Sequence, residues 1–134
     1  MSNTRVTDTI ERVWREKDLT AMDAYFDPNV VVHSPLGEFK GIQFIKEVFQ
    51  KWLIAFPDLV VSEVQVIEQE DRIVRQWEAR GTHQGAFKGI SATGRPVNYS
   101  GATVYRIQEG KVVEYWAYVN VAHVLSQIEQ VVPV

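Results

Sequence analysis

Between residues 59 and 121 the chain sets out four extended segments in succession, with no helical pattern between any two of them. Residues 59–68, 73–83, 97–107 and 112–121 are rich in β-branched and aromatic side chains that alternate or double with polar ones. Gln69-Glu70-Asp71 is a polar turn, and Gln108-Glu109-Gly110-Lys111 supplies a glycine for positive φ. Residues 84–96 carry Gly85, Gly89, Gly94 and Pro96 and read as a long loop or hairpin tip. Strands joined this way pair antiparallel, because a parallel neighbour needs a long crossover. Helices gathered before such a run define an α+β chain and exclude βαβ winding. Strands of ten or more residues twist strongly, so the sheet is expected to curl around whatever covers its apolar face.

The covering helices come first in the chain. Val6, Ile10, Val13 and Trp14 fall on one helical stripe. Thr20, followed by Asp23, reads as the cap of a short second helix through Ala24, Tyr25 and Phe26, which Asp27-Pro28 ends. Val30-Val31-Val32-His33 is a short β-branched strand stopped by Ser34-Pro35-Leu36-Gly37. The clearest helix carries Ile42, Ile45, Val48, Phe49, Trp52, Leu53 and Phe56 on one side and Gln43, Lys46, Glu47, Gln50 and Lys51 largely opposite. Residues 121–130 close the chain as a short helical turn. A curled sheet closed on one side by helices makes a cone with an internal cavity. The chain shows no linker and no repeat, and its 134 residues fit a single domain spanning 1–134.

Composition narrows the chemistry. The absence of cysteine excludes disulfides, thiolate zinc sites, iron–sulfur clusters and a cysteine nucleophile. A balance of 14 basic to 17 acidic residues, with Arg12, Arg15 and Lys17 interleaved among Glu11, Glu16 and Asp18, offers no field for nucleic acid. No pair of the three histidines has helical zinc spacing, so no metal is expected. Neither a Gly-x-Ser-x-Gly elbow nor a phosphate-loop lysine arrangement occurs. The N-terminus lacks a signal-peptide apolar region and no run reaches membrane-span length, which gives a cytoplasmic expectation with no membrane partner. Four tryptophans mark a large aromatic investment in a core, a pocket or an interface.

Five short runs carry a resemblance: Phe56-Pro57-Asp58-Leu59, Gly81-Thr82-His83-Gln84-Gly85, Thr93-Gly94-Arg95-Pro96-Val97, Gly110-Lys111-Val112-Val113-Glu114-Tyr115-Trp116 and Leu125-Ser126-Gln127. In this order and spacing, over roughly residues 5 to 130, the chain resembles the SnoaL-like polyketide cyclase (ester cyclase) family of the NTF2-like superfamily. The resemblance implies a cone-shaped α+β barrel with N-terminal helices packed in a curved, mostly antiparallel sheet, an apolar cavity, and no metal or organic cofactor. It also implies ring closure of a polyketide ester by intramolecular aldol condensation, or cofactor-free hydroxylation as proposed for some relatives. Fold alone does not choose between these chemistries. The family's cyclases carry an acid four residues after the tryptophan of the Glu-x-Trp motif, and that position is Asn120 here. An amide can hydrogen-bond a carbonyl or enolate oxygen but cannot exchange a proton near neutrality.

Several residues are therefore candidates. Glu114, Trp116, Tyr118 and Asn120 share strand parity. They read as an aromatic wall with a polar tip facing a flat ligand, or as core and interface residues with Asn120 bonding a loop. His33 is either the proton carrier of the cavity or a partner of the adjacent loop. His83 is either a second polar group of the pocket or the anchor of the glycine-rich loop. His123 is expected on the surface or at a dimer contact. Trp52, Phe56, Trp77, Tyr99, Trp116 and Tyr118 are the candidate substrate contacts. Arg75 and Arg106 are paired with carboxylates, unless one of them points into the cone to hold an oxyanion. These residues fit a lyase or isomerase acting on a small, largely apolar carbonyl compound, a binding module that kept the cavity without catalysis, or a hydroxylase-like relative. The outer apolar face of the sheet predicts a homodimer.

Overall fold

The computed structural model describes residues 4–35 and 37–129. The elements run α1 (Thr4–Glu16), a 3-10 turn (Leu19–Ala24), β1 (Phe26–Ser34), β2 (Gly37–Lys40), α2 (Ile42–Ala55), β3 (Val60–Gln69), β4 (Arg72–Thr82), β5 (Pro96–Gln108), β6 (Lys111–Val119) and α3 (Val121–Ile128). The four consecutive strands, the long central helix and the closing helix stand where the periodicity places them. The strands form a six-stranded sheet in the order β2-β1-β6-β5-β4-β3. Four neighbouring pairs are antiparallel and β1–β6 is parallel. The sheet is curved but does not close, since β2 and β3 remain its edges. Among the described residues, no helix is long and apolar enough to cross a membrane.

Turn chemistry sets the register. Gln108 pairs with Lys111 across Glu109 and Gly110, whose φ values of 52° and 77° are those of a tight hairpin turn matched to strand twist. The inner face of the sheet packs on the helices in two adjoining clusters. One joins Ile10 and Val13 of α1 and Phe49 of α2 to Val32, Tyr105 and Tyr115 of the sheet. The other joins Trp52 and Phe56 to Trp77, Val97, Tyr99 and Val124. Trp14 packs against both clusters and stacks on Phe49 with ring centroids 4.5 Å apart.

Three local expectations are corrected. The second helix is a 3-10 turn capped by Asp18, not Thr20: the Asp18 carboxylate accepts from the Thr20 N–H at 3.0 Å. Phe26 and Asp27-Pro28 open β1 instead of ending a helix. Pro28, which has no N–H, sits where the β1–β6 register breaks between Phe26 and Val31. Gly37, which the sequence places in the stop after β1, opens an edge strand, Gly37–Lys40. The Val6 side chain, Leu36 and Gln130 lie outside the described residues.

Candidate functional site

Four of the five runs that carry the family resemblance meet at one end of the fold. Asp58, just after α2, accepts the Thr82 N–H at 2.7 Å and the Thr82 hydroxyl at 2.8 Å. These bonds hold the Asp58 carboxyl below its ordinary range. Gln84 and Gly85 donate their N–H groups to the Ala55 carbonyl at 3.0 and 3.1 Å. His83 is fully buried and ties the loop: its Nδ1 accepts the Thr93 N–H at 3.2 Å and lies 3.0 Å from the Thr93 hydroxyl. Its main chain accepts from Gly94 and donates to Arg95. Gln127 clips α3 to β5, accepting from the Asn98 N–H and donating to the Asn98 carbonyl, both at 2.8 Å. Three of the runs thus hold a helix end, a strand end and a long loop together, and a fourth fastens the last helix.

The cavity lies elsewhere, between the two long helices and the inner face of the sheet. Trp14, Val48, Phe49 and Trp52 wall it on the helical side. Arg75, Trp77, Tyr99, Thr103, Tyr105 and Tyr115 wall it on the sheet. The centre of a water molecule has about 60 Å³ in which to move there. That is room for roughly four to six waters, the bulk of one small ring. Most of the wall is apolar, as small-molecule sites are.

Its polar groups gather around one cross-strand pair. Arg75 faces Thr103 across β4–β5. Arg75 is 1% exposed and donates from Nε to Glu63 Oε1 at 3.1 Å, while its Nη2 is buried without a hydrogen-bond partner. A buried donor left unmet costs on the order of 1–3 kcal/mol. Thr103 accepts the Trp77 indole N–H at 3.0 Å and lies beside the Tyr105 and Tyr115 side chains. Burial pushes the Tyr105 hydroxyl up to about 12, and pushes those of Tyr99 and Tyr115 well above the ordinary tyrosine range. These tyrosines stay protonated near neutrality, so each keeps an O–H. None of the lining residues is a carboxylate or a histidine.

The candidate residues separate by sheet face. Trp52, Trp77 and Tyr99 line the cavity. Phe56 is fully buried beside them, in ring contact with Trp52 and Tyr99, but is not part of the wall. Trp116 and Tyr118 are placed on the outer face instead, because Tyr115, Ala117 and Val119 of β6 turn inward. Asn120 is also outside. It caps α3, accepting the His123 N–H at 3.0 Å, and borders a shallow open groove with His33, Trp116 and Tyr118. The polar tip expected over a ligand is thus a helix cap, and His33 is not among the cavity's lining residues.

On that outer face His33 joins a charged row. Its Nδ1 lies 2.9 Å from Glu38 and its Nε2 2.8 Å from Glu114, which also accepts from Arg106 at 3.1 Å. The two carboxylates raise the His33 pKa, Glu114 foremost. The bonds from His33 and Arg106 in turn lower that of Glu114. The imidazole stacks on Trp116 at 5.3 Å, and Arg72 lies over the same indole at 5.3 Å. The sequence allows Arg75 either a paired or an inward position. Its parity with Trp77 was the available signal, and the structure shows it both paired with Glu63 and facing the cavity.

Helices packed on the inner face of a curved, open six-stranded sheet give the NTF2-like fold. Within it, the sequence model of the SnoaL-like polyketide cyclase family matches residues 4–128, and the chain belongs to that family. Among solved structures it is similar to AclR, a candidate hydroxylase from Streptomyces galilaeus, at 27% identity and a TM-score of 0.84 over 98% of this chain and 84% of that one. It is also similar to a candidate polyketide cyclase from Acidithiobacillus ferrooxidans, at 26% identity and a TM-score of 0.81 over 95% and 94% of the two chains. IdmH, a candidate polyketide cyclase from Streptomyces antibioticus, shares the fold at 22% identity and a TM-score of 0.82 over 95% and 98%. No curated protein matches the sequence.

Proposed function

We propose that this chain takes a small, largely apolar carbonyl compound of polyketide type into the internal cavity and acts on it without a cofactor, as a cyclase-type lyase or isomerase. The observation that carries this reading is the aromatic-walled cavity between helices and sheet, in a chain of the SnoaL-like family. Trp52, Trp77 and Tyr99 are the proposed clamp on the ligand's flat apolar part. The ring-sized space favours one ring over a fused system, unless the helices part to admit more.

A second reading, a binding module without turnover, is favoured by the lining itself, in which no group exchanges a proton near neutrality. Cyclohexanone in deuterated buffer separates the two. An enzyme of the proposed kind accelerates solvent deuterium uptake at the carbon next to the carbonyl, read by NMR. Binding without any acceleration over buffer supports the module and refutes the enzyme reading.

The outer face supports a homodimer. By register, Ile67, Val74, Val104 and Trp116 form an apolar strip across β3, β4, β5 and β6, and Ile67 is 54% exposed. The proposed occupant of this strip is a second copy. Light scattering after size exclusion should give twice the chain mass of 15.4 kDa, and a monomer at micromolar concentration refutes it.

A further inference from the structure

We propose that Arg75, beside the Thr103, Tyr105 and Tyr115 side chains, is the anchor for a negatively charged oxygen on a one-ring ligand held in the internal cavity. The inference rests on the reading that the cavity is a ligand site, and it adds which chemistry the ligand must carry.

Three observations lead to it. Arg75 is the cation in the wall of an otherwise apolar space, and a guanidinium cannot neutralise itself by losing a proton in a protein. Its carboxylate partner, Glu63, engages Nε, but the side-on fork that would use Nη2 as well is not made. Nη2 is fully enclosed and offers its hydrogens to no protein acceptor.

Hydroxyl groups line the wall beside it. Thr103 Oγ1 already accepts from the Trp77 indole, which leaves it one lone pair and one hydrogen. The Tyr105 and Tyr115 side chains lie beside it and line the same wall. Arg75 Nη2 therefore brings an unmatched donor to the wall beside these hydroxyls. That arrangement selects an oxygen bearing negative charge: a ring carboxylate, or the enolate of a ring ketone. A neutral carbonyl oxygen gains a weaker bond from the same donors, and a ligand without an oxygen gains only the apolar wall.

Benzoate and cyclohexane-1,3-dione are the charged probes, one for each source of the oxygen, and toluene is the neutral ring. Binding to the wild-type chain and to Arg75→Met is followed by quenching of tryptophan fluorescence, since Trp14, Trp52 and Trp77 line the cavity. A charge-assisted hydrogen bond predicts that Arg75→Met weakens benzoate, the dione or both by roughly tenfold to a hundredfold. Toluene affinity should change by less than about threefold, because the variant's side chain is apolar.

Should Arg75→Met fail to give a cooperative thermal transition, Arg75→Lys serves the same purpose. It keeps a charge without the planar fork, and should weaken the charged probes while sparing toluene. Loss of affinity for either charged probe supports the anchor and names its oxygen. The proposal is overturned if toluene binds while both charged probes are refused, or if both bind a folded Arg75 variant as well as they bind the wild type. If no probe binds, toluene included, the cavity is not a ligand site, and the reading beneath the proposal falls with it.

Discussion

Gly101→Ala tests how the cavity wall is built. Gly101 lies in β5 opposite Trp77 of β4 and Val119 of β6. A methyl group placed on it would stand 2.5 Å from Trp77 Cζ2 and 2.5 Å from the Tyr118 carbonyl oxygen. Ordinary contact begins near 3.4 Å, so about 0.9 Å must be found on each side. The carbonyl belongs to a paired strand and has little freedom, so the indole must give way. Trp77 is held by its bond to Thr103, and moving it strains or breaks that bond. Overpacking of this kind costs about 1–3 kcal/mol. A lost hydrogen bond adds about 1 kcal/mol. Alanine returns roughly 0.5–1 kcal/mol, because a strand glycine loses more backbone freedom on folding. The net is a destabilisation of about 1–3 kcal/mol. With a urea dependence of about 1–3 kcal/mol per molar, the unfolding midpoint should fall by about 1 M. The displaced indole should also crowd the cavity and weaken toluene binding. Equilibrium urea unfolding followed by tryptophan fluorescence, with a parallel toluene titration, measures both. An unchanged midpoint with unchanged toluene affinity would refute this account of the wall.

The remaining predictions address the joint, the outer face and position 120. Gly85→Ala puts a methyl group 2.1 Å from the Ile54 carbonyl, which is backbone, so the loop must leave the helix end; a loss of more than about 3 kcal/mol is expected in thermal unfolding. The raised His33 pKa means that its pairing stabilises fully below the unfolded value of 6.5 and is lost as pH rises through the folded value. The lowered Glu114 pKa means that its share is present above 4.5 and is lost as pH falls through the folded value. The row is therefore strongest between these limits. Both groups are partly exposed and screened, so the effect should stay under about 1 kcal/mol. Comparing urea midpoints at pH 6 and pH 9 should show a drop in the wild type that His33→Gln reduces. Asn120→Asp should leave stability within about 0.5 kcal/mol, because aspartate caps a helix as well as asparagine does. Since position 120 faces outward, the same variant should give no gain in deuterium exchange at a cavity-bound ketone; a clear gain would show that the outer groove takes part in the chemistry.

How far the sequence could be read depends on the physics behind each feature. The four-strand run, the central helix and the hairpin at Glu109-Gly110 are local matters of period and turn chemistry, and the residues concerned state them directly. The pairing of β1 beside β6 is not local. It joins residues some eighty positions apart in a parallel register, and no turn between them announces it. Pro28 then misleads, because a proline that ends a helix and one that sits at a broken strand register look alike in a sequence.

The face of β6 fails for another reason. Residues 115–119, Tyr-Trp-Ala-Tyr-Val, are apolar on both parities, so alternation alone does not say which side is covered, and one step exchanges wall for exterior. A charge resolves the ambiguity. Glu114 shares parity with Trp116 and Tyr118, and Arg106 stands opposite Glu114 across β5–β6. A carboxylate–guanidinium pair of that kind belongs on a wet face, and it carries the neighbouring aromatic residues with it. Arg75 is the converse case, a charge with the parity of Trp77 and Ala79, and it is buried with them. Glu63 compensates that charge without occupying Nη2. A charge of outward parity thus orients the sheet, while a charge of inward parity marks the place in the wall where ligand chemistry is to be sought.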